Sequence, residues 1–190
     1  RWDDVNRSIS TITEQHPNIR FGLSVFPSDN SFIGGCSTGD NWPNVPIQAE
    51  PAPALTNFFD NNGVSGATPL DNALRWVSEN TATLWNNEPI GALIILSDGA
   101  DTCSCGHPND DVNGSYTNCL IPDLIENTEA LVNLGIEVFV IGYNYGDDPA
   151  QLDAIAANGG TNYTEHIPAG SELTLTTSFD TIVSNLKDCL

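Results

Sequence analysis

The stretch Gly91-Ala92-Leu93-Ile94-Ile95-Leu96-Ser97-Asp98-Gly99 decides the fold of this chain. Its continuous apolar run carries no polar alternation and is bounded by a glycine and a Ser-Asp-Gly turn, the pattern of a strand covered on both faces by helices. Ile136 to Ile141, closed by Gly142, repeats the pattern, and a helical segment from Asp123 to Leu134 ending at Gly135 joins the two. Strand, helix and strand in this order call for a right-handed crossover in a parallel sheet. Asp98 then lies just beyond the carboxyl end of the first strand, where open α/β sheets place their ligands.

Working outward, Thr68-Pro69-Leu70-Asp71 marks a helix start, with Thr68 as cap, Pro69 in the first turn and Asp71 completing a capping-box-like pair. Leu70, Ala73, Leu74 and Val77 supply the buried face of that helix. Trp2, Val5, Ile9 and Ile12 recur at helical spacing until His16-Pro17 stops them. Ile19 to Phe26 reads as a strand, and Val45 to Gln48 as its hairpin partner at a sheet edge, within a stretch rich in Gly, Pro, Asn and Ser. A short helix follows around Ala54 to Phe59. Beyond the second buried strand come a helix from Pro149 to Ala157, a last strand from Asn162 to His166, and a closing helix marked by Phe179, Ile182, Val183 and Leu186. The order α-β-β-α-α-β-α-β-α-β-α predicts a doubly wound α/β fold with a mainly parallel sheet, one antiparallel edge strand and helices on both faces. The chain enters on a helix, whereas a sheet of this kind normally begins with a strand.

The 190 residues suit one domain, and 39% are hydrophobic, enough for a sizeable core. Five Lys and Arg against 25 Asp and Glu give a net charge of −20, which repels a phosphate backbone and argues against nucleic-acid binding. No apolar run approaches the roughly 18 to 20 residues of a spanning helix. Cys36, Cys103, Cys105, Cys119 and Cys189, with no Met, point to an oxidising, extracellular compartment. The count is odd, so one thiol is free or pairs outside these residues. There is no nucleophile elbow, phosphate loop or dinucleotide fingerprint, and His16, His107 and His166 are scattered, so an enzyme is not expected.

The sequence resembles a von Willebrand factor type A domain over essentially its whole length, 1–190. Gly66-Ala67-Thr68-Pro69-Leu70 looks like that family's second metal loop, and Ala92 to Gly99 like the strand that delivers its third. Arg20 to Pro27 and Ile136 to Gly142 occupy matching strand positions in the right order. The family's first strand, with its Asp-x-Ser-x-Ser loop, has no counterpart in these residues. The resemblance places that strand in mid-sheet, between Ile19 to Phe26 and Ala92 to Leu96. Its loss would remove on the order of 10 kcal/mol of burial, so it is expected upstream of Arg1 or donated in trans by a partner chain.

The resemblance further implies that, where the Asp-x-Ser-x-Ser loop supplies most of the direct ligands, Thr68 and Asp98 complete an oxygen-only site for Mg²⁺, Ca²⁺ or Mn²⁺, leaving one position for a partner's carboxylate. The expected function is then an extracellular adhesion module that docks a protein or cell-surface ligand through the cation. The alternative is a structural, filament-forming subunit completed by a neighbour's strand. Read without the resemblance, Thr68 is an ordinary cap and Asp98-Gly99 an ordinary turn. Asp101 ranks only as a weak candidate for an indirect role. Asn109, Asp111 and Asn113 match the start of a calcium loop, but Leu120 stands where the bidentate Glu belongs, which favours an ordinary polar turn. Cys103, Cys105, His107 and Cys119 could hold zinc, though disulfides among Cys36, Cys103, Cys105 and Cys119 fit the C-x-C spacing better.

Overall fold

The computed structural model describes residues 2–27, 38, 42–63, 67–81, 91–101, 103, 121–146 and 149–187. In chain order the elements are α1 (Trp2–Gln15), β1 (Phe21–Leu23), β2 (Val45–Gln48), α2 (Ala52–Asn61), α3 (Leu70–Glu79), β3 (Ala92–Ser97), α4 (Ile121–Asn133), β4 (Glu137–Tyr143), α5 (Ala150–Asn158), β5 (Ile167–Ala169) and α6 (Glu172–Lys187). This is the α/β order that the hydrophobic spacing predicts. Among the described residues the sheet is divided between β1 and β3, the place where the resemblance puts a strand that these residues lack. The described strands form two sheets, an antiparallel β1-β2 pair and a parallel sheet ordered β3-β4-β5.

β4 organises the interior because its side chains alternate between two helical layers. Val138 and Val140 pack with Leu70 and Leu74 of α3, Leu124 and Leu131 of α4, and Leu152 and Ile155 of α5. Phe139 and Ile141 face the other way, against Ile12 of α1 and Leu175, Phe179, Ile182 and Val183 of α6. Burying each such side chain stabilises the fold by roughly 1.5–3 kcal/mol. A third cluster of Val45, Leu55 and Phe59 holds α2 on β2, and Trp2 meets Phe59 edge-on with ring centroids 4.9 Å apart.

β3 pairs with β4 in parallel from Ala92 opposite Glu137 to Ser97 opposite Gly142. Although equally apolar, it is not the fully covered strand its sequence predicts. Six of the seven β4 residues are buried, but only Ile95 and Ser97 of β3 are. The cause lies on the side of β3 away from β4. There an apolar cavity of about 900 Å³ separates β3 from β1, lined by residues of both strands.

Two strands differ in extent from their predicted spans, for the same physical reason. The strand expected over Ile19 to Phe26 shrinks to Phe21–Leu23, since the Val25 N–H donates to Asn44 Oδ1 (2.6 Å) and its carbonyl accepts from Trp42 Nε1 (2.8 Å). Side chains, not a ladder, satisfy that backbone. The last strand, expected over Asn162 to His166, instead occupies Ile167–Ala169. The N–H groups of Tyr163 and His166 donate to Thr161 Oγ1 (3.1 Å) and Asp153 Oδ1 (2.9 Å), which keeps 162–166 out of the sheet. β5 pairs with Ile141 to Tyr143 of β4 and tolerates Pro168 because it lies at an edge.

Gly159 closes α5 where the chain presses on the sheet. Its carbonyl accepts from the Val138 N–H at 2.8 Å, and a Cβ on Gly159 would lie 2.1 Å from the Val138 carbonyl oxygen. Backbone cannot give way as a side chain can, so Gly159→Ala is expected to destabilise the fold by about 1–3 kcal/mol or more. A shifted urea midpoint at unchanged slope would report it.

Candidate functional site at the carboxyl ends of the strands

Two distant loops meet where β3 ends. One brings in Ala67 and Thr68 ahead of α3; the other is Asp98-Gly99 after β3. A Cβ built on Gly99 would lie 3.7 Å from Thr68 Oγ1, so the hydroxyl sits directly against the residue following Asp98. Thr68 is half-buried and Asp98 exposed, and both line the mouth of the cavity between the sheets. Oxygen donors, one neutral and one a carboxylate, are what this mouth offers. That chemistry suits a hard divalent cation more than zinc.

The capping expectation is corrected. α3 begins at Leu70, and Pro69 occupies the cap position without a side-chain cap bond. The first-turn N–H of Asp71 is instead taken by Asp101 Oδ2 at 2.7 Å, thirty residues away. Nor does Asp71 complete a capping box. It is 2% exposed, and its Oδ1 accepts from Asn127 Nδ2 of α4 at 2.7 Å.

Asp101 is the residue that sequence reasoning undervalued. It is also 2% exposed, and its second oxygen accepts from the Cys103 N–H at 2.8 Å while its own N–H donates to Gln151 Oε1 of α5 at 2.7 Å. Its carboxylate ties the start of α3 to the loop after β3, and its backbone N–H adds α5, so one residue joins the three into a single rim. Ser97 tightens the same turn, donating from its hydroxyl to the Gly99 carbonyl at 2.8 Å. Nothing local in the sequence signals these partners; only the accumulation of Asp, Ser and Gly from 97 to 101 marks the loop as special.

Burial pushes the Asp71 carboxyl above the usual carboxylate range, and the Asn127 hydrogen bond only partly offsets it. A group whose folded-state pKa is raised contributes stability that is fully present below its unfolded pKa and lost as pH rises through the folded value. Asp71→Asn, which retains an amide oxygen for Asn127, is therefore expected to equal or exceed the parent in stability near pH 7. The advantage should vanish at about pH 4 and below, as comparison of urea midpoints at the two pH values would show.

The remaining predicted site residues divide simply. Asn109, Asp111, Asn113, Cys36, Cys105, His107 and Cys119 lie outside the described residues, as does Gly66. Cys103 is buried and disulfide-bonded, which removes it as a zinc ligand. Among the described residues, no three His, Cys, Asp or Glu side chains group as a metal cluster. Among the same residues, no helix is long and apolar enough to cross a membrane.

No protein-family model matches the sequence, and no curated protein does. Solved structures do share its fold. The conserved hypothetical protein BatB from Bacteroides thetaiotaomicron superposes with a TM-score of 0.63 at 16% identity, over 99% of this chain and 89% of that one. Proximal thread matrix protein 1 from the mussel byssus superposes with a TM-score of 0.60 at 14% identity, over 96% of this chain. There the match spans 41% of the longer protein. At such identities the likeness is one of fold, and it defines the chain as an α/β protein of the Rossmann-like kind.

Proposed function

We propose that this chain is a von Willebrand factor type A-like module of the cell exterior that docks a protein or surface partner through a divalent cation held at Thr68 and Asp98. The observation that carries the reading is the juxtaposition of the Thr68 hydroxyl with the Asp98-Gly99 turn at the carboxyl end of β3. A cation there, ringed by a neutral hydroxyl and few formal charges, stays electrophilic and gains a strong bond from an incoming Asp or Glu carboxylate. The buried disulfide at Cys103 supports an oxidising compartment. Mn²⁺ serves as reporter: binding followed by its paramagnetic signal, and partner capture that disappears on chelation with EDTA, are the expected results. Capture indifferent to EDTA would contradict the reading.

A second reading has one observation in its favour. The open cavity between β1 and β3 suits a structural subunit completed by a strand donated in trans. Assembly that persists in EDTA and grows with chain concentration would support that reading over the first.

A further inference from the structure

Two Asn-Gly pairs lie among the described residues, Asn62-Gly63 after α2 and Asn158-Gly159 at the end of α5. In such a pair the backbone nitrogen of the glycine can attack the side-chain carbonyl carbon of the asparagine, because no Cβ hinders its approach. The two sites begin alike. Asn62 Nδ2 donates to the Phe58 carbonyl and Asn158 Nδ2 to the Ala154 carbonyl, both at 2.8 Å, so each side chain folds back on its own helix. Their nucleophiles differ. Gly159 is buried; its N–H donates to the Ala156 carbonyl at 3.2 Å, and its carbonyl accepts from the Val138 N–H at 2.8 Å. Gly63 is exposed, and a Cβ built on it would meet nothing within 4 Å. Asn62 ahead of it is exposed and extended, with φ −133° and ψ 148°. Turning the Asn62 side chain toward Gly63 breaks one solvent-exposed hydrogen bond, which slows attack by no more than about tenfold. Turning Asn158 toward Gly159 requires the end of α5 to lift off β4, an opening of the folded interior.

We infer that Asn62 is a site of spontaneous deamidation and isoaspartate formation in the folded protein, and that Asn158 is protected from it. The Gly63 nitrogen bonds to Asn62 Cγ as its proton passes to solvent. The bond from Cγ to Nδ2 then breaks, and Nδ2 takes up a proton and leaves as ammonia. Water opens the resulting five-membered imide, with no oxidant or reductant involved. Cleavage of the Gly63 nitrogen from Cγ gives aspartate. Cleavage from the α-carbonyl carbon gives isoaspartate, in which the main chain continues through Cβ and Cγ. The consequence falls on a defined contact. The Asn62 carbonyl accepts from the Trp2 indole N–H at 2.9 Å, which ties the first turn of α1 to the end of α2. In the isoaspartate that carbonyl becomes a free carboxylate, so the Trp2 bond persists as a charge-assisted one. The chain toward Thr68, six residues further on, instead departs from Cγ and is longer by one carbon.

The test incubates the chain at mildly alkaline pH, folded and in denaturing urea, and follows each Asn-Gly peptide by mass and by an enzymatic methyl-acceptor assay for isoaspartate. Peptide mapping keeps Asn113-Gly114, which lies outside the described residues, separate from the other two pairs. In the folded chain the Asn62 peptide should gain about 1 Da and become a methyl acceptor at least about 10-fold faster than the Asn158 peptide. In urea the two rates should converge to within about threefold, because the sheet no longer holds Gly159. Gly63→Ala places its Cβ in open space at a glycine whose φ is not left-handed, so the fold should keep its thermal midpoint within about 1–2 °C. The same variant should slow the reaction at Asn62 by about 10-fold or more. Equal rates at Asn62 and Asn158 in the folded chain, a difference between them that persists in urea, or a rate at Asn62 indifferent to Gly63→Ala would each overturn the inference.

Discussion

Asp98→Ala abolishes cation-dependent partner capture and lowers affinity for Mn²⁺ by more than about 100-fold, while the thermal midpoint stays within about 1–2 °C of the parent. On the proposed reading Asp98 holds the cation directly or through a water, and even groups one step removed from a metal typically account for about 10–100-fold. The stability change is small because Asp98 is exposed on a turn, where substitutions usually fall within about 0.5 kcal/mol. For a chain of this size that is roughly 1–2 °C. Titration with Mn²⁺ alongside calorimetry gives both readouts. Unaltered Mn²⁺ affinity in the variant would remove Asp98 from the site.

Asp101→Ala produces the opposite signature. It leaves the buried N–H groups of Asp71 and Cys103 without their acceptor, each at a cost of about 1–3 kcal/mol. The expected destabilisation of about 2–5 kcal/mol corresponds to a fall of about 5–15 °C in the midpoint. Asp101→Asn keeps one oxygen to accept with and is expected to recover about half of the loss. On the proposed cation reading affinity should fall as well, because Asp101 holds the first turn of α3, next to Thr68, against the loop after β3. Calorimetry on the two variants checks the order parent, Asn, Ala. An unchanged midpoint for the alanine variant would show that Asp101 is not the rim's tie.

Much of the fold was legible because local periodicity and burial agree in β4 and α1, where each apolar position meets a helix or a sheet. The ends of β1 and β5 were not, because their boundaries are set by side chains such as Asn44, Trp42 and Asp153 that capture backbone groups from a distance. Thr68 and Asp98 were legible as a pair from their loops' resemblance, and the fold brings those loops together. Asp101 was not, since its importance comes from Asp71, Cys103 and Gln151, partners scattered over fifty residues. A carboxylate that terminates another segment's helix looks, in one dimension, like any polar turn residue.

The division of the strands between two sheets also governs how the molecule comes apart. The small lobe of β1, β2 and α2 meets α1, whose Trp2 and Ile9 reach the cluster around Phe59, and meets α3 through the neighbouring Trp42, whose ring stands edge-on to Trp76 at 5.2 Å. Such a lobe can open by itself, at a fraction of the energy of global unfolding. Proteases should therefore nick β1, β2 and α2 well before they reach the interior around β4.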